Sequence, residues 1–383
     1  MRNDIVLLST AEWDNPFWTN KQYVTIELGE LDYRVLYIDS LGLRSPSVNS
    51  SDFFRIYKRV KKAFKKPVKV RENIWVWSPI LLPFQKYKFI REINRVILNS
   101  WLNFWIKKIE FKKDIFWTYN PITLTLFDIT KYKKLIYHCV DDIKAQPGMP
   151  IEIISRSEKE LFQQSNIVFT TSKNLLKSAK KYNNNSYYFS NVADFEHFSK
   201  SLHKNTKIPN DIKEIPKPII GFIGAISGYK LDFELINYIA LKRANYSIVL
   251  IGKVGEGDPD TDISRLKEQN ITLLGAKDYQ KLPNYLKAID VAILPNRLNE
   301  YTKSMFPMKF FEYLSAGKPV VSVKLDALKS FKDIVYLAED YDDFIYGIDR
   351  FLKEYNIENG IEVAKEFTYK SRMIKMMKIV EEK

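Results

Sequence analysis

The sequence predicts an α/β protein made of two doubly wound domains. Short apolar runs alternate with helical patterns along the chain, which is typical of parallel sheets covered on both faces. The 383 residues are too many for one compact core and fit two domains. A polar, proline-bearing stretch at residues 201–217 is the predicted linker between two halves of similar pattern.

Residues 1–200 are predicted to form the N-terminal domain. Helical patterns such as Glu152–Gln163 and Lys173–Lys181 lie between its apolar runs. The predicted strands are Ile5–Leu8, Arg34–Ile38, Ile74–Trp77, Ile115–Trp117, Leu135–Tyr137, Ile167–Thr170 and Tyr187–Phe189.

Residues 218–366 show the same alternation of apolar runs and helical patterns and are predicted to form the C-terminal domain. Residues 367–383 are predicted to form a basic amphipathic tail with a helix at Tyr369–Glu382. The predicted strands are Ile219–Ile223, Ser247–Ile251, Ile271–Leu274, Val291–Leu294, Pro319–Val323 and Val335–Leu337. The predicted helices are Leu231–Arg243, Asp262–Gln269, Tyr279–Ala288 and Asp342–Lys353.

Composition narrows the class of protein. A hydrophobic content of 45% with 14% aromatic residues excludes a disordered chain. The single cysteine, Cys139, excludes an intramolecular disulfide and favours a reducing compartment. No apolar run reaches the roughly 18 residues of a membrane span, and the first apolar run is too short for a signal peptide. We therefore expect a cytoplasmic protein.

The net charge of +14 is concentrated in the N-terminal half. The segment Arg55–Arg71 holds nine Lys and Arg and no acid, and residues 80–106 mix aromatic, aliphatic and cationic residues as interfacial helices do. These patterns predict that residues 55–106 contact an anionic membrane surface, so that the protein is peripheral at the inner face of the plasma membrane. Because the basic run is rich in apolar neighbours, no nucleic-acid partner is expected.

The segment from Phe306 to Ser322 carries the strongest chemical signal. It reads as loop, helix, tight turn and strand, with Pro307 at the helix start and Gly317 at its end. Lys309 and Glu312 are three residues apart and share one face of that helix. A helix start with free N–H groups, a lysine and a carboxylate is suited to a nucleotide diphosphate and its ribose.

This segment resembles the donor-binding motif of glycosyltransferases with the GT-B architecture, in which two Rossmann-like domains face a central cleft. The regions around Gly224, Gly275 and residues 137–142 extend the likeness, which includes the teichuronic-acid glycosyltransferases and, more distantly, the xanthan-pathway glucuronosyltransferase. The resemblance implies a nucleotide-sugar donor, most simply a UDP-sugar, and Glu312 as the ribose ligand. It also implies that the tail packs back on the N-terminal domain.

The predicted donor-binding residues follow from this segment and from the glycine loop after the first strand of the second domain. Lys230 is the nearest cation to that loop, and Tyr279 follows the turn at which the resemblance places the base. The full set is Glu312, Lys309, Ser304, Met305, Phe306, Met308, Gly224, Lys230, Gly275 and Tyr279.

The catalytic candidates are Asp141 and Asp142, which follow the strand Leu135–Tyr137 and therefore lie at the edge where α/β folds bind ligands. An inverting transfer needs one carboxylate to take the proton of the acceptor hydroxyl, and Asp142 is favoured over Asp141. Many retaining relatives carry a second glutamate where this chain has Ser304, which favours inversion. Helix capping or a solvated turn is the structural alternative for both aspartates.

The acceptor-binding candidates are Trp13, Asp14 and Trp18, in the loop after the first strand. Aromatic faces stack on sugar C–H groups while a carboxylate binds hydroxyls, although packing onto the next helix also explains the tryptophans.

No metal site and no cofactor are predicted. Asp258-Pro-Asp260 matches a metal-binding signature but lies in a polar loop, and the three histidines have no ligand spacing.

The sequence thus predicts a glycosyltransferase that moves a sugar from a nucleotide-sugar donor to a carbohydrate or lipid-linked oligosaccharide in surface polysaccharide synthesis. Inversion with an aspartate base is the main hypothesis, and a retaining enzyme of the same fold is the alternative. A non-catalytic two-domain sugar-binding protein is the alternative from another class.

Overall fold

The computed structural model describes residues 3–15, 18–41, 66–79, 81 and 88–383. The chain divides into two compact units. Unit 1 comprises residues 1–189 and 373–383, and unit 2 comprises residues 190–372.

Unit 1 is built on an eight-stranded sheet with the order β3-β4-β2-β1-β5-β6-β7-β8. All neighbouring strands pair in parallel except β3 and β4, which pair antiparallel. The strands are β1 (Asp4–Leu8), β2 (Arg34–Ile38), β3 (Val68–Arg71), β4 (Ile74–Trp77), β5 (Ile115–Thr118), β6 (Lys134–Cys139), β7 (Ile167–Thr170) and β8 (Ser186–Tyr188).

Helices cover both faces of this sheet. Because successive side chains of a strand point to opposite faces, Val6 and Leu8 of β1 lie in one core while Ile5 and Leu7 lie in the other. The helices of the unit are α1 (Asn20–Glu30), α2 (Lys88–Lys108), α3 (Thr123–Leu126), α4 (Ile151–Gln164) and α5 (Lys173–Lys180).

Unit 2 is built on a six-stranded parallel sheet with the order β11-β10-β9-β12-β13-β14. Its strands are β9 (Ile219–Ile223), β10 (Ser247–Ile251), β11 (Ile271–Gly275), β12 (Val291–Leu294), β13 (Val320–Val323) and β14 (Tyr336–Ala338). Its helices are α6 (Phe195–Phe198), α7 (Asn210–Lys213), α8 (Phe233–Lys242), α9 (Leu282–Ala288), α10 (Glu300–Lys303), α11 (Met308–Ser315), α12 (Tyr341–Lys353) and α13 (Ile357–Glu366). Two apolar clusters cover its faces.

The last helix, α14 (Tyr369–Glu382), begins in unit 2 and ends in unit 1. Met373, Met376, Met377 and Val380 are buried in the same core as Ile5 and Leu7 of β1. Lys134 donates a hydrogen bond to the carbonyl of Val380, and Tyr33 donates one to Glu381. These contacts explain why the tail belongs to unit 1.

The boundary between the units falls at Phe189 and Ser190, before the predicted linker at residues 201–217. Residues 201–217 lie within unit 2. Ile212 is fully buried there, the Ser201 hydroxyl donates to the carbonyl of Ala316, and Asn284 donates to the carbonyl of Lys207. A stretch that is polar in sequence can therefore be held to a domain by a few side chains.

The helix predicted at Asp262–Gln269 is wrong, because only a short 3₁₀ turn at Ile263–Arg265 forms there. Side chains form hydrogen bonds with backbone groups of this segment that a helix would use for its own hydrogen bonds. Asp262 accepts from the amide and hydroxyl of Ser264, and Asn237 binds the carbonyl of Arg265 and the amide of Lys267. The strand β3 was not predicted, since it is a short, exposed edge strand in which two valines alternate with two cations.

No helix in the described ranges is long and apolar enough to cross a membrane. Most of the basic run, residues 55–65, and part of the following segment, residue 80 and residues 82–87, lie outside the described residues.

Lys318, directly before β13, is a costly placement for a cation. It lines a cavity of about 580 Å³ together with Lys217, Asp290 and Tyr355. Its ammonium donates to the carbonyl of Lys287 at 3.4 Å, and burial lowers its pKa to about 8.

We predict that Lys318→Met raises the free energy of unfolding at pH 7, by on the order of 2 kcal/mol, since one pKa unit corresponds to about 1.4 kcal/mol. Between pH 8 and about 10.5 the unfolded wild type binds more protons than the folded protein, so its stability rises with pH. The advantage of the variant should therefore shrink over this range. Guanidinium unfolding at several pH values measures the difference in the free energy of unfolding between the variant and the wild type. Lys332→Met is the control, because Lys332 is exposed. A pH-independent difference would contradict the argument.

Candidate functional site

Three glycines bring the carboxyl ends of β9, β10 and β11 together in unit 2. The amide of Gly224 donates to the carbonyl of Ile251 at 2.9 Å, and the amide of Gly252 donates to the carbonyl of Gly275 at 3.0 Å. A Cβ at Gly252 would lie 1.7 Å from the carbonyl oxygen of Gly224, so only glycine fits. Gly224 and Gly275 were predicted site residues. Gly252 was missed, although its place directly after a strand was a signal.

The loop after β9 is tied to the loop after β12. The amide of Arg297 donates to the carbonyl of Lys230 at 2.8 Å, and Asn299 donates to the carbonyl of Tyr229 at 2.7 Å. The Lys230 ammonium lies 5.2 Å from the ring centroid of Tyr229 and 5.5 Å from that of Tyr301. This half-buried lysine is thus held at the same sheet edge as the glycines.

Helix α11 carries Lys309 and Glu312. The Lys309 ammonium lies 2.8 Å from Oε2 of Glu312, whose side chain is only 7% exposed while that of Lys309 is 29% exposed. Pro307 is the N-cap residue and provides no side-chain cap. Because the first amides of a helix have no intrahelical acceptor, an anion at this end would meet the N–H groups of Met308 and Lys309.

The loop before α11 is rigidly held. Phe306 is buried and stacks on Phe311 with ring centroids 5.5 Å apart, while its carbonyl accepts from Asn191 at 2.7 Å. The amides of Ser304 and Met305 donate to the carbonyls of Tyr301 and Thr302. Ser304 and Met305 were predicted to bind the donor, but their amides are engaged in the turn that ends α10. The first two amides of α11 are therefore the better candidates for binding phosphate.

Tyr313 fixes α11 against the end of β9. Its hydroxyl accepts from the amide of Ile223 at 2.8 Å and donates to the carbonyl of the same residue at 3.2 Å. The side chain is fully buried, and burial raises the pKa of the phenol well above its usual range. Lys309 and Glu312 are therefore held in a defined position relative to Gly224.

Tyr279, in a 3₁₀ turn after β11, stacks on His197. The two ring centroids are 4.2 Å apart with an interplanar angle of 11°. His197 Nε2 lies 2.9 Å from the carbonyl oxygen of Tyr279, which makes Nε2 the protonated nitrogen, and burial lowers the pKa of the imidazole. His197 was missed by the sequence argument. Asp194 caps the turn that presents it, and this Asp-x-x-His spacing was the available signal.

In unit 1, Asp142 belongs to a network of charges at the end of β6. The Lys144 ammonium lies 3.3 Å from Asp142 and 3.2 Å from Glu158. Glu158 is buried and accepts from the hydroxyl of Tyr137 at 2.7 Å. Burial alone would lower the pKa of Lys144, but the two carboxylates raise it overall. Asp142 is therefore held by a partner that the sequence argument had not included.

Asp141 faces a different cation. Lys21, the second residue of α1, is 8% exposed, and burial lowers the pKa of its ammonium while Asp141 opposes that shift. The ammonium lies 5.8 Å from the ring centroid of Tyr119, whose hydroxyl is 3.1 Å from Nδ1 of the buried His138. Lys21, Tyr119 and His138 were not predicted site residues.

The predicted acceptor residues lie in the loop between β1 and α1. Trp13 and Trp18 pack on each other with ring centroids 5.3 Å apart, and Trp13 also meets the edge-on ring of Tyr37 at 5.1 Å. The amide of Trp13 donates to Asp39 at 2.7 Å. Asp14 is exposed. The two rings thus form one half-buried aromatic platform beside an exposed carboxylate.

Within the described residues, no group of three or more His, Cys, Asp and Glu side chains could hold a metal ion.

Two comparisons connect the sequence to known proteins. Residues 217–354 match the family model described as "Glycosyl transferases group 1". The putative teichuronic acid biosynthesis glycosyltransferase TuaH of Bacillus subtilis is 31% identical over 152 residues, which are 39% of this chain and 37% of that protein. The chain thus spans little more than a third of the length of that relative, and the residues that match the family model lie in unit 2.

Solved structures match the whole chain. Sucrose-phosphate synthase from Thermosynechococcus elongatus has a TM-score of 0.69 at 14% identity and covers 100% of this chain and 99% of its own. Anabaena HepE, solved in complex with UDP and glucose, has a TM-score of 0.67 at 15% identity and covers 100% of both chains. At such identities the match shows the fold, and the predicted GT-B fold is confirmed.

Proposed function

We propose that this protein is a glycosyltransferase that moves a sugar from a UDP-sugar to a carbohydrate or lipid-linked oligosaccharide acceptor in the synthesis of a surface polysaccharide. The observation that carries the proposal is the Lys309–Glu312 pair at the start of α11, beside the glycine edge of a group 1 glycosyltransferase domain. A structural neighbour, HepE, binds UDP and glucose, which supports UDP as the nucleotide.

In unit 2 each part of the donor has a candidate partner. The buried Glu312 keeps one carboxylate oxygen beyond its contact with Lys309, and this oxygen can accept from a ribose hydroxyl. The N–H groups at the start of α11, together with Lys309 and Lys230, offset the charge of the diphosphate. Gly224 and Gly275 let backbone approach the nucleotide, and Tyr279, braced by His197, lies at the base end.

The reaction forms a bond between the acceptor oxygen and the anomeric carbon while the bond from that carbon to the diphosphate breaks. Group 1 enzymes are typically retaining, so the family match favours retention over the inverting hypothesis. In a retaining transfer the leaving diphosphate can take the acceptor proton, and no separate carboxylate base is required. We therefore propose retention, with Asp141 binding an acceptor hydroxyl in unit 1.

The acceptor side is proposed to lie in unit 1. The Trp13 and Trp18 platform supplies apolar faces for sugar C–H groups, and Asp14 and Asp141 supply hydroxyl acceptors. Asp142 is proposed to shape this loop through its ion pair with Lys144.

Helix α2 is proposed to seat unit 1 on an anionic membrane surface at the inner face of the plasma membrane. Leu98, Leu102 and Ile106 bury one side of α2 in the core. The opposite side exposes apolar residues in a stripe, followed by two exposed lysines in the last turn. The stripe consists of Phe89, Val96, Ile97 and Phe104. Apolar side chains flanked by cations suit the boundary between lipid headgroups and acyl chains.

Glu312→Gln is expected to weaken UDP binding roughly 10- to 100-fold, because a hydrogen bond to a charged group contributes about 1.5–3 kcal/mol. Isothermal titration of UDP and 2′-deoxy-UDP measures it. The wild type should prefer UDP, and the variant should lose most of that preference. Glu362→Gln is the control, since Glu362 forms an exposed pair of the same spacing with Lys365. Unchanged UDP affinity in Glu312→Gln would rule out the ribose assignment.

The anomeric configuration of the product is expected to equal that of the donor, as read by proton NMR of the product formed from the UDP-sugar that the enzyme accepts. Asp141→Asn and Asp142→Asn should then each leave measurable transfer. Loss of a general base typically costs about 10²- to 10⁴-fold in rate. An inverted product, with a loss of that size in either variant, would overturn retention and restore the aspartate base.

The double substitution Phe89→Ser and Phe104→Ser is expected to reduce binding to vesicles containing phosphatidylglycerol at least about tenfold. Both rings are more than half exposed, so folding should be unaffected, and burying one such side chain contributes about 1.5–3 kcal/mol. Vesicle flotation at low and high salt measures binding, with the exposed Leu241→Ser in unit 2 as control. Equal flotation of all three proteins would contradict the role of α2.

A further inference from the structure

Lys21 occupies a position that is unfavourable for a cation in three respects. It lies in the first turn of α1, where the helix dipole repels positive charge. Its side chain is buried, so its ammonium has lost most of its hydration. Among the described residues, none forms an ion pair or a hydrogen bond with that ammonium. Lys173, in the first turn of α5, shows the ordinary alternative, because it is exposed.

Lys21 lies near a carboxylate and an aromatic ring, and its helix is joined to the loop of the proposed acceptor platform. Asp141 acts on the ammonium through space without pairing with it, and the ring of Tyr119 lies 5.8 Å away. The loop that carries Trp13 is joined to the start of α1, since Gln22 donates to the carbonyl of Glu12 at 2.9 Å. Hydroxyl acceptors, aromatic faces and one unpaired buried cation therefore belong to the same end of the sheet in unit 1.

We infer that Lys21 is the anion-binding group of an acceptor subsite in unit 1, and that the acceptor is an acidic carbohydrate bearing a carboxylate or a phosphate. An ammonium has three N–H donors, and an anionic ligand would supply both the acceptors and the counter-charge that the described residues do not. A neutral sugar would add no counter-charge to the through-space effect of Asp141. The inference rests on the proposed function, because it names the class of the acceptor.

The test compares sugars that differ in charge. Methyl β-glucuronide, methyl β-glucoside and methyl β-glucoside 6-phosphate are titrated by NMR into the full-length wild type, Lys21→Met and Lys173→Met. We expect at least one charged glycoside to bind the wild type about tenfold more tightly than the neutral one. Lys21→Met should abolish this preference, whereas Lys173→Met should keep it. The charged glycoside that binds more tightly shows whether Lys21 prefers a carboxylate or a phosphate group on the acceptor.

Thermal melting distinguishes a role of Lys21 in ligand binding from a role in stabilising the fold. Because Lys21→Met removes an unpaired buried charge, the variant should melt at an equal or higher temperature than the wild type while losing the charged ligand. If the wild type binds the neutral glycoside as tightly as both charged ones, or if Lys21→Met keeps the preference, the inference is wrong. The wild-type comparison decides even if the variant fails to fold.

UDP titration of the same samples separates this inference from the proposed function. Normal UDP binding with no charge preference among glycosides would overturn only the acidic acceptor. Absence of UDP binding by the wild type would instead count against the donor assignment in unit 2.

Discussion

The pair of hydrogen bonds between the Tyr313 hydroxyl and the backbone of Ile223 is the contact on which the proposed donor site depends. It joins α11, which carries Lys309 and Glu312, to the end of β9, where the glycine edge begins. Ile223 is the last residue of β9 and is buried, so losing the hydroxyl would remove one hydrogen bond from its N–H and one from its C=O. The close approach of Gly252 to Gly224 then fixes the backbone of the proposed donor site.

The buried charged residues differ in whether they have an ion-pair partner within the described part of the protein. Glu312 is buried but paired with Lys309, and Glu158 is buried but shares Lys144 with Asp142. Such pairs compensate the loss of hydration within the protein. Lys21 has no ion-pair partner among the described residues, and burial lowers the pKa of its ammonium although Asp141 opposes that shift. The two aspartates after β6 consequently differ, since Asp142 is held by Lys144 while Asp141 acts through space on the charge of Lys21.

Much of the fold could be predicted because parallel strands buried on both faces leave a strong local pattern. The bounds predicted for Arg34–Ile38, Ile74–Trp77 and Ile219–Ile223 agree with the structure. The prediction failed at Asp262–Gln269, where side-chain hydrogen bonds rather than hydrophobic periodicity determine the backbone conformation. It also missed Lys21 and His197, because their roles depend on Asp141 and Tyr279, which lie far away in the chain.

The sequence by itself determined the fold class, the resemblance to glycosyltransferases and the helix that carries Lys309 and Glu312. Periodicity, glycines at strand ends and a three-residue spacing are local properties, and a local pattern can be read without knowing what packs against it. Only the tertiary structure decided which charges are paired, which amides are already engaged, and that Lys21 is buried without an ion pair among the described residues. These properties arise from contacts between distant segments, and the free energy of a buried charge depends on every group around it.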